Sequence, residues 1–298
     1  MPTKRSLLLL GSTGFLGSSI LRILRCEDLS DLDVLISHSS RINELTPSNF
    51  LNLSFMNGET FNISNLASDL NLDLVVINCA ASRNSGDDDL TKEGNFTFPK
   101  MVLETLLAIP KIRIKWIQIE TFWQYSNGST PDESYVLWKN RFSNLLTESS
   151  EHGNILVEKL VLSHLIGPFD NPHRFLPRLF SKMLAGEMLQ VNSPNEFFCL
   201  TDVRDVSHYL VKILANSKSR IDSARALFPS IEIQLQDIID LFREISGSVS
   251  QIQFYETKRN SNPALKLEQQ PPLLSSNLVS LRSLNSSFSD IARWLSTL

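Results

Sequence analysis

Tyr135 and Lys139 stand in the stretch YVLWK, a spacing that puts both heads on one side of a helix, one turn apart. Trp138, Phe142, Leu145 and Leu146 share that broad side, so the pair turns toward a core rather than toward water. An ammonium beside a phenol favours the phenolate. Lys139 is therefore expected to lower the pKa of Tyr135 and make it a usable acid near neutral pH. Upstream, Thr121 closes the alternating run IRIKWIQIET and places a hydroxyl at a strand end, suited to bind a carbonyl oxygen. Taken alone, a tyrosine and a lysine at this spacing more often mark an amphipathic helix whose lysine reaches for water. A second feature shifts the balance toward chemistry.

That feature is SLLLLGSTGFLGSSILRILR, Ser6 to Arg25. The apolar run Leu7–Leu10 reads as a buried strand and stops at Gly11; Gly14 and Gly17 follow, then the helical pattern Ile20, Leu21, Ile23, Leu24. Gly11 would allow a tight turn, Gly14 the approach of a pyrophosphate to the backbone, and Gly17 close packing of helix on sheet. The amides and positive dipole end of the helix would face the phosphates, so Gly11, Ser12, Thr13, Gly14, Phe15, Leu16 and Gly17 are candidate cofactor contacts. A glycine-rich turn with no ligand is the plain alternative, and the position between strand and helix argues against it.

In an open α/β sheet, ligands sit beyond the carboxyl ends of the strands. The run DVLIS ends in Ser37, His38, Ser39, Ser40 and Arg41, with no acid for a ribose hydroxyl. Its hydroxyls and Arg41 suit a 2′-phosphate, which favours NADP(H) over NAD(H); a solvated loop is the alternative. Asn62 and Ile63 fall where an adenine contact would lie. Asn78, Cys79, Ala80 and Ala81 end a further strand, where small residues let a cofactor pass; Cys79 reads as apolar filler, not as a nucleophile. Asn95, and Leu162 at the end of ILVEKLVL, complete the cofactor set. Ser82, Thr121, Trp123, His164, Arg174 and Arg178 are the candidate substrate contacts. His164 reads equally as structural, and His173, Arg174, Arg178 and Lys182 as a solvated helix face or a diphosphate site. No cluster has metal-ligand spacing.

These residues need a scaffold. Strand and helix patterns alternate: strands over 33–37, 53–56, 72–79, 112–121 and 155–162, helices over 90–108 and 134–149. That alternation predicts a Rossmann-type, doubly wound parallel sheet. After Gly167 and Pro168 the pattern changes to a proline-rich loop, then helices over 178–185, 203–215, 235–245 and 288–298, a strand over 197–200 and a loop over 260–276. The expected division is a cofactor-binding domain over 1–165 and a small substrate lobe over 166–298, some of whose segments return to the first core. The chain of 298 residues is 42% hydrophobic and carries a net charge of −4, which marks a globular protein and argues against nucleic acid or acidic membrane as general partners. Three scattered cysteines suit a reducing cytoplasm, and no apolar run reaches membrane-spanning length.

The shifted glycine spacing G-x-x-G-x-x-G, NCAA, Asn95 in GNFTF, Thr121, Tyr135 with Lys139, and LIGP at Leu165–Pro168 resemble the extended short-chain dehydrogenases/reductases, the NAD(P)-dependent epimerase/dehydratase family of nucleotide-sugar enzymes. TFWQ and GPFDNPHRFLP are similar to the CDP-abequose/paratose synthase type of 4-ketosugar reductase. The resemblance implies Thr121, Tyr135 and Lys139 as the catalytic set, Asn95 as an ordering residue, a nucleotide-linked keto-sugar as substrate and a homodimer. Phe122 and Trp123 stand where the dehydratases carry Asp-Glu, which argues against expulsion of water. His164, Ile166 and Arg204 also depart from the family pattern and leave its usual nucleotide contacts open. The rival reading is a non-catalytic NADP-binding redox sensor or scaffold, which would bind the cofactor without turning over keto-sugars.

Overall fold

A computed structural model describes residues 5–27, 32–37, 53–55, 60–61, 73–83, 86–125, 132–151, 154–215, 225–255, 271–274 and 279–298. β1 (Arg5–Leu10) is apolar on both faces because both are covered. Leu7 and Leu9 pack on one side with α1 (Phe15–Leu24) and α6 (Val203–Ala215), while Leu8 and Leu10 pack on the other. There they meet the helix that runs from α2 (Asp88–Lys92) through a π-turn (Glu93–Thr97) into α3 (Phe98–Leu107), and α4 (Glu133–Ser150). Both faces of β1 are therefore core, with Leu7 to Leu10 all fully buried.

With β2 (Leu32–Ser37), β3 (Leu53–Phe55), β4 (Thr60–Phe61), β5 (Asp73–Asn78), β6 (Arg113–Thr121), β7 (Ile155–Leu162) and β11 (Arg225–Leu227), the sheet order is β11-β7-β6-β5-β1-β2-β3-β4. From β11 to β2 all neighbours are parallel. This is the doubly wound sheet expected. The third strand differs from the all-parallel pattern: β3 runs antiparallel to β2, and β4 antiparallel to β3, the latter because the short link from β3 to β4 cannot hold a crossover. The chain leaves β1 for β2 on one side, and β5 lies on the other, so the order reverses at β1 and a crevice opens beyond the ends of β1 and β5.

Beside this sheet, β8 (His164–Ile166), β10 (Phe197–Asp202) and β12 (Ile231–Gln234) form a three-stranded sheet, and β9 (Leu189–Asn192) pairs with β13 (Ile252–Tyr255). Their core joins α5 (Phe175–Leu184), α7 (Leu235–Ser246) and α8 (Leu284–Leu295) around Phe180 and Phe242, stacked with centroids 3.9 Å apart, and Phe288, edge-on to Phe180 at 5.2 Å. α5 starts at Phe175, earlier than its prolines suggest. Pro177 falls in the first turn, where a missing N–H breaks no helical bond. α6 and β11 go back to the large sheet, and Ser207 Oγ donates to Ser19 Oγ of α1 at 2.9 Å.

Candidate active site

The turn after β1 is shaped by close backbone approach. Gly11 has φ +73°, and a Cβ there would lie 2.7 Å from the Ala80 nitrogen at the end of β5. Asn78 makes that end: its Oδ1 accepts from Ala80 N at 3.1 Å and its Nδ2 donates to Gln118 Oε1 on β6 at 3.0 Å. A Cβ on Gly17 would stand 2.2 Å from Gly11 O, so this glycine lets the first turn of α1 lie over the strand–helix turn itself, closer than the contact with the sheet foreseen for it. Gly14 is the N-cap of α1, with no side-chain cap, which leaves the first-turn amides for an anion. Around it Thr13 is exposed, Phe15 half-buried and Ser12 buried. The Leu16 and Leu162 side chains belong to the core. Burial pushes the Cys79 thiol up to about 12, so it is inert near neutral pH. Ser37 ends β2; its side chain, and His38, Ser40, Arg41, Asn62 and Ile63, lie outside the described residues.

α4 brings Tyr135 and Lys139 to the end of β6. Asp132 caps the helix by accepting from Tyr135 N at 3.0 Å, and its other oxygen lies 3.5 Å from Arg83 Nε. The Lys139 Nζ is buried; it donates to Ile119 O at 3.1 Å and lies 5.6 Å from the Tyr135 ring centre. Thr121, next along β6 but one from Ile119, is held through its peptide N–H. Its N–H donates to Gln124 Oε1 at 3.0 Å, and Gln124 Nε2 donates to Asn140 Oδ1 of α4 at 3.0 Å. Burial drives Lys139 down to about 8. The expected lowering of Tyr135 by Lys139 is not what the geometry gives. Burial pushes Tyr135 above its ordinary value, and the cations that oppose this are Arg83 and Arg174. Tyr135 stays a phenol at neutral pH, ready to donate.

Asn95 sits buried in the π-turn, a local widening common at functional sites. Its Nδ2 donates to Thr91 O at 2.7 Å and to Ser82 O, which binds the strap after β5 to this helix, and its Oδ1 is a buried acceptor without a donor among the described residues. Asp88 ties α2 to α4, accepting from Trp138 Nε1 at 3.0 Å and from the Ser134 hydroxyl.

His164 opens β8, paired with Leu200, rather than ending β7. Its ring lies 4.9 Å from Phe122, 6.1 Å from Trp123 and 5.2 Å from Phe198, centre to centre. Burial lowers its pKa to about 4, with Arg174 adding to the effect, so the imidazole is neutral in the working range. Trp116 and Trp138 are core and Trp123 is half-buried beside His164. Arg174 pairs with Asp170 at 3.1 Å; Arg178 is exposed on α5. Below pH 6.5 the unfolded chain protonates this histidine while the folded one resists until about 4, so stability falls with pH across that window, by up to about 3 kcal/mol. Thermal melts of His164→Phe against the parent from pH 7 to 4 should show a shallower loss in the variant. Parallel losses would mean that other groups carry the acid limb.

Residues 7–223 match the NAD dependent epimerase/dehydratase family. The chain belongs to this family. Membership supports an enzyme of the epimerase/dehydratase class that uses a nicotinamide cofactor. Solved structures agree in fold. UDP-glucuronic acid 4-epimerase from Bacillus cereus, in complex with NAD, is 21% identical with a TM-score of 0.72 over 98% of this chain and 97% of its own. RMD from Pseudomonas aeruginosa, complexed with NADPH, is 14% identical with a TM-score of 0.72 over 99% and 100%. dTDP-glucose 4,6-dehydratase from Bacillus anthracis, in complex with NAD, is 12% identical with a TM-score of 0.71 over 98% and 97%. No curated protein matches the sequence.

Within this family frame, the residues that sequence reasoning missed are the ones that hold the expected set in place. Gln124 and Asn140 fix the Thr121 backbone, and Asp132 caps the helix at Tyr135. Arg83 is 54% exposed in its side chain and reaches the site through Asp132. Only the acidic cap had a sequence signal, an Asp just ahead of the helical pattern. Among the described residues, no group of acidic, histidine and cysteine side chains could hold a metal ion, and no helix is long and apolar enough to cross a membrane.

Proposed function

We propose that the chain is an NADP(H)-dependent oxidoreductase of the extended short-chain type that reduces, or epimerises through, a keto group of a nucleotide-linked sugar. The observation that carries this is Lys139, buried at Ile119 O one turn from Tyr135 and behind Thr121. A buried lysine beside a half-buried phenol at a strand end has little structural purpose and a clear chemical one. Residues 1–165 would hold the cofactor and residues 166–298 most of the substrate. The B. cereus epimerase structure with UDP-glucuronic acid and NAD supports the substrate class. TFWQ supports the CDP-abequose/paratose synthase type within it. A homodimer follows from the same resemblance, and three free cysteines suit the cytoplasm.

The cradle fits a dinucleotide. Gly14 leaves α1 uncapped for the pyrophosphate, and the small strap Cys79–Ala81 leaves room beyond β5. When bound, the reduced nicotinamide supplies hydride to the carbonyl carbon. Thr121 would hydrogen-bond the carbonyl oxygen, Tyr135 would give its hydroxyl proton to the forming alkoxide, and Lys139 would hold the nicotinamide ribose. Tyr135 rests as a phenol in the free protein, the form that the reductive step would use. Mixing the enzyme with NADPH and a panel of nucleotide-linked keto-sugars, and following loss of absorbance by reduced nicotinamide, tests the reading. Tight cofactor binding with no turnover on any of them would favour the sensor instead.

Cofactor choice has its own test. Arg41→Ala should weaken NADPH far more than NADH, by roughly tenfold or more, because only NADPH offers a 2′-phosphate to the guanidinium. Equal losses for the two in calorimetry would remove the NADP assignment.

A further inference from the structure

We propose that Tyr125, bonded to buried Glu120, holds the turn that aims the Thr121 hydroxyl, and so acts as a positioning residue for the substrate carbonyl. The inference rests on the role given to Thr121 above. Thr121 is followed by a single 3-10 turn, Phe122–Tyr125. Two bonds join this turn to Thr121. The Trp123 N–H donates to Thr121 Oγ1 at 3.5 Å, and Gln124 Oε1 accepts from Thr121 N at 3.0 Å. The first bears on chemistry. It occupies a lone pair of the hydroxyl oxygen and leaves the proton to donate to a carbonyl. At that length it is a weak bond, so its hold on the hydroxyl depends on the turn staying in place.

A lone 3-10 turn has poor hydrogen-bond geometry of its own and needs anchors. Tyr125 supplies one at the far end. Its hydroxyl donates to Glu120 Oε2, which links the residue before Thr121 to the last residue of the turn, with Thr121 enclosed between them. Glu120 is itself buried and fixed from several sides. Its Oε1 accepts from the Ser143 hydroxyl of α4; Lys159 of β7 lies 4.0 Å from Oε1, and Arg225 of β11 lies 3.7 Å from Oε2. The Arg225 guanidinium also sits over the Tyr125 ring, 5.1 Å from its centre. The phenol is therefore held at its tip by β6 and on its face by β11. Burial, with Glu120 adding to it, keeps Tyr125 above its ordinary value, so it remains a donor at every working pH.

The test reads the Thr121 side chain directly, by NMR on the full chain without cofactor or substrate. Threonine is labelled with carbon-13 and nitrogen-15, and the Thr121 methyl is assigned by its loss in Thr121→Val. Three-bond couplings of that methyl carbon to the backbone nitrogen and carbonyl carbon give its rotamer. The parent should show one rotamer, and Tyr125→Phe should show couplings averaged over several. Glu120→Gln keeps an acceptor for the Tyr125 hydroxyl and should stay close to the parent. If Tyr125→Phe does not fold, the double variant Tyr125→Phe, Glu120→Gln replaces it, because it leaves no buried charge short of a donor. Parent-like couplings in the folded variant, or a Thr121 already averaged in the parent, overturn the proposal. Where a keto-sugar is turned over, Tyr125→Phe should lower kcat about tenfold and leave KM and NADPH affinity within about twofold, since a bond to a forming alkoxide counts most in the transition state. In a Thr121→Val background the same change should cost less than about twofold more, whereas a packing role would cost as much in both backgrounds. If the parent reduces no keto-sugar, the dehydrogenase reading fails while the couplings still judge Tyr125. If it reduces one and the two costs add, the Tyr125 proposal fails alone.

Discussion

Tyr135→Phe is expected to bind NADPH like the parent and to lose turnover by ~10²–10⁴, the usual worth of a positioned general acid. The ring keeps its place near Lys139 and the cap from Asp132 uses the backbone N–H, so only the hydroxyl is removed. Lys139→Met should lose a similar factor in turnover and some cofactor affinity as well, because the lysine serves both. The pH profile separates the two roles. Tyr135 is held above its ordinary value, so it does not deprotonate in the accessible range. Lys139 does, near 8. Reduction should therefore decline as pH rises through about 8, with the phenol still protonated. Steady-state rates of NADPH-dependent reduction from pH 6 to 10 check this. A Tyr135→Phe variant with near-native rates would make the tyrosine a wall residue and return the chemistry to question.

Gly17→Ala is expected to remove the folded protein, whereas Gly14→Val should leave it folded and unable to bind cofactor. A methyl on Gly17 would meet Gly11 O at 2.2 Å, with the Ser12 Cα at 2.8 Å. Those are backbone atoms of a turn that is itself fixed by Gly11 at φ +73° against Ala80. Neither can step aside without parting β1 from α1, so the cost should reach roughly 3–5 kcal/mol. At Gly14 the sole neighbour of a Cβ among the described residues is Gly11 O at 3.3 Å, tight but tolerable. The open side beyond it is where a branched side chain would stand in the path of a pyrophosphate. Thermal melting separates the two, with a folding transition kept by Gly14→Val and lost by Gly17→Ala, and calorimetry on the folded Gly14→Val reads its loss of NADPH binding. A folded Gly14→Val that bound NADPH normally would move the cofactor away from this turn.

Much of the fold was legible because its elements are strongly periodic. The unbroken Leu7–Leu10 run, the glycine turn and the alternation of strands and helices up to Leu162 are local patterns, and each became an element within a few residues of its expected bounds. The second half was harder to read. β8, β9, β12 and β13 are short, and half of their faces are polar or partly exposed. The return of β11 to the large sheet depends on pairing with β7, a contact that no local pattern announces.

The sequence by itself determined the strand–turn–helix at the start of the chain and the facing of Tyr135 and Lys139 on α4, because spacing along one element decides which side chains share a face. Tertiary structure alone decided the state of those side chains. Burial sets Tyr135 above and Lys139 below their ordinary values, and the charges that modulate them, Arg83, Arg174 and Glu120, come from other segments. Gln124 and Asn140, which fix the Thr121 backbone, also meet only when β6 and α4 pack. Periodicity reports that a face is buried. It does not report against what, and the energy of a buried charge depends on its neighbours in space.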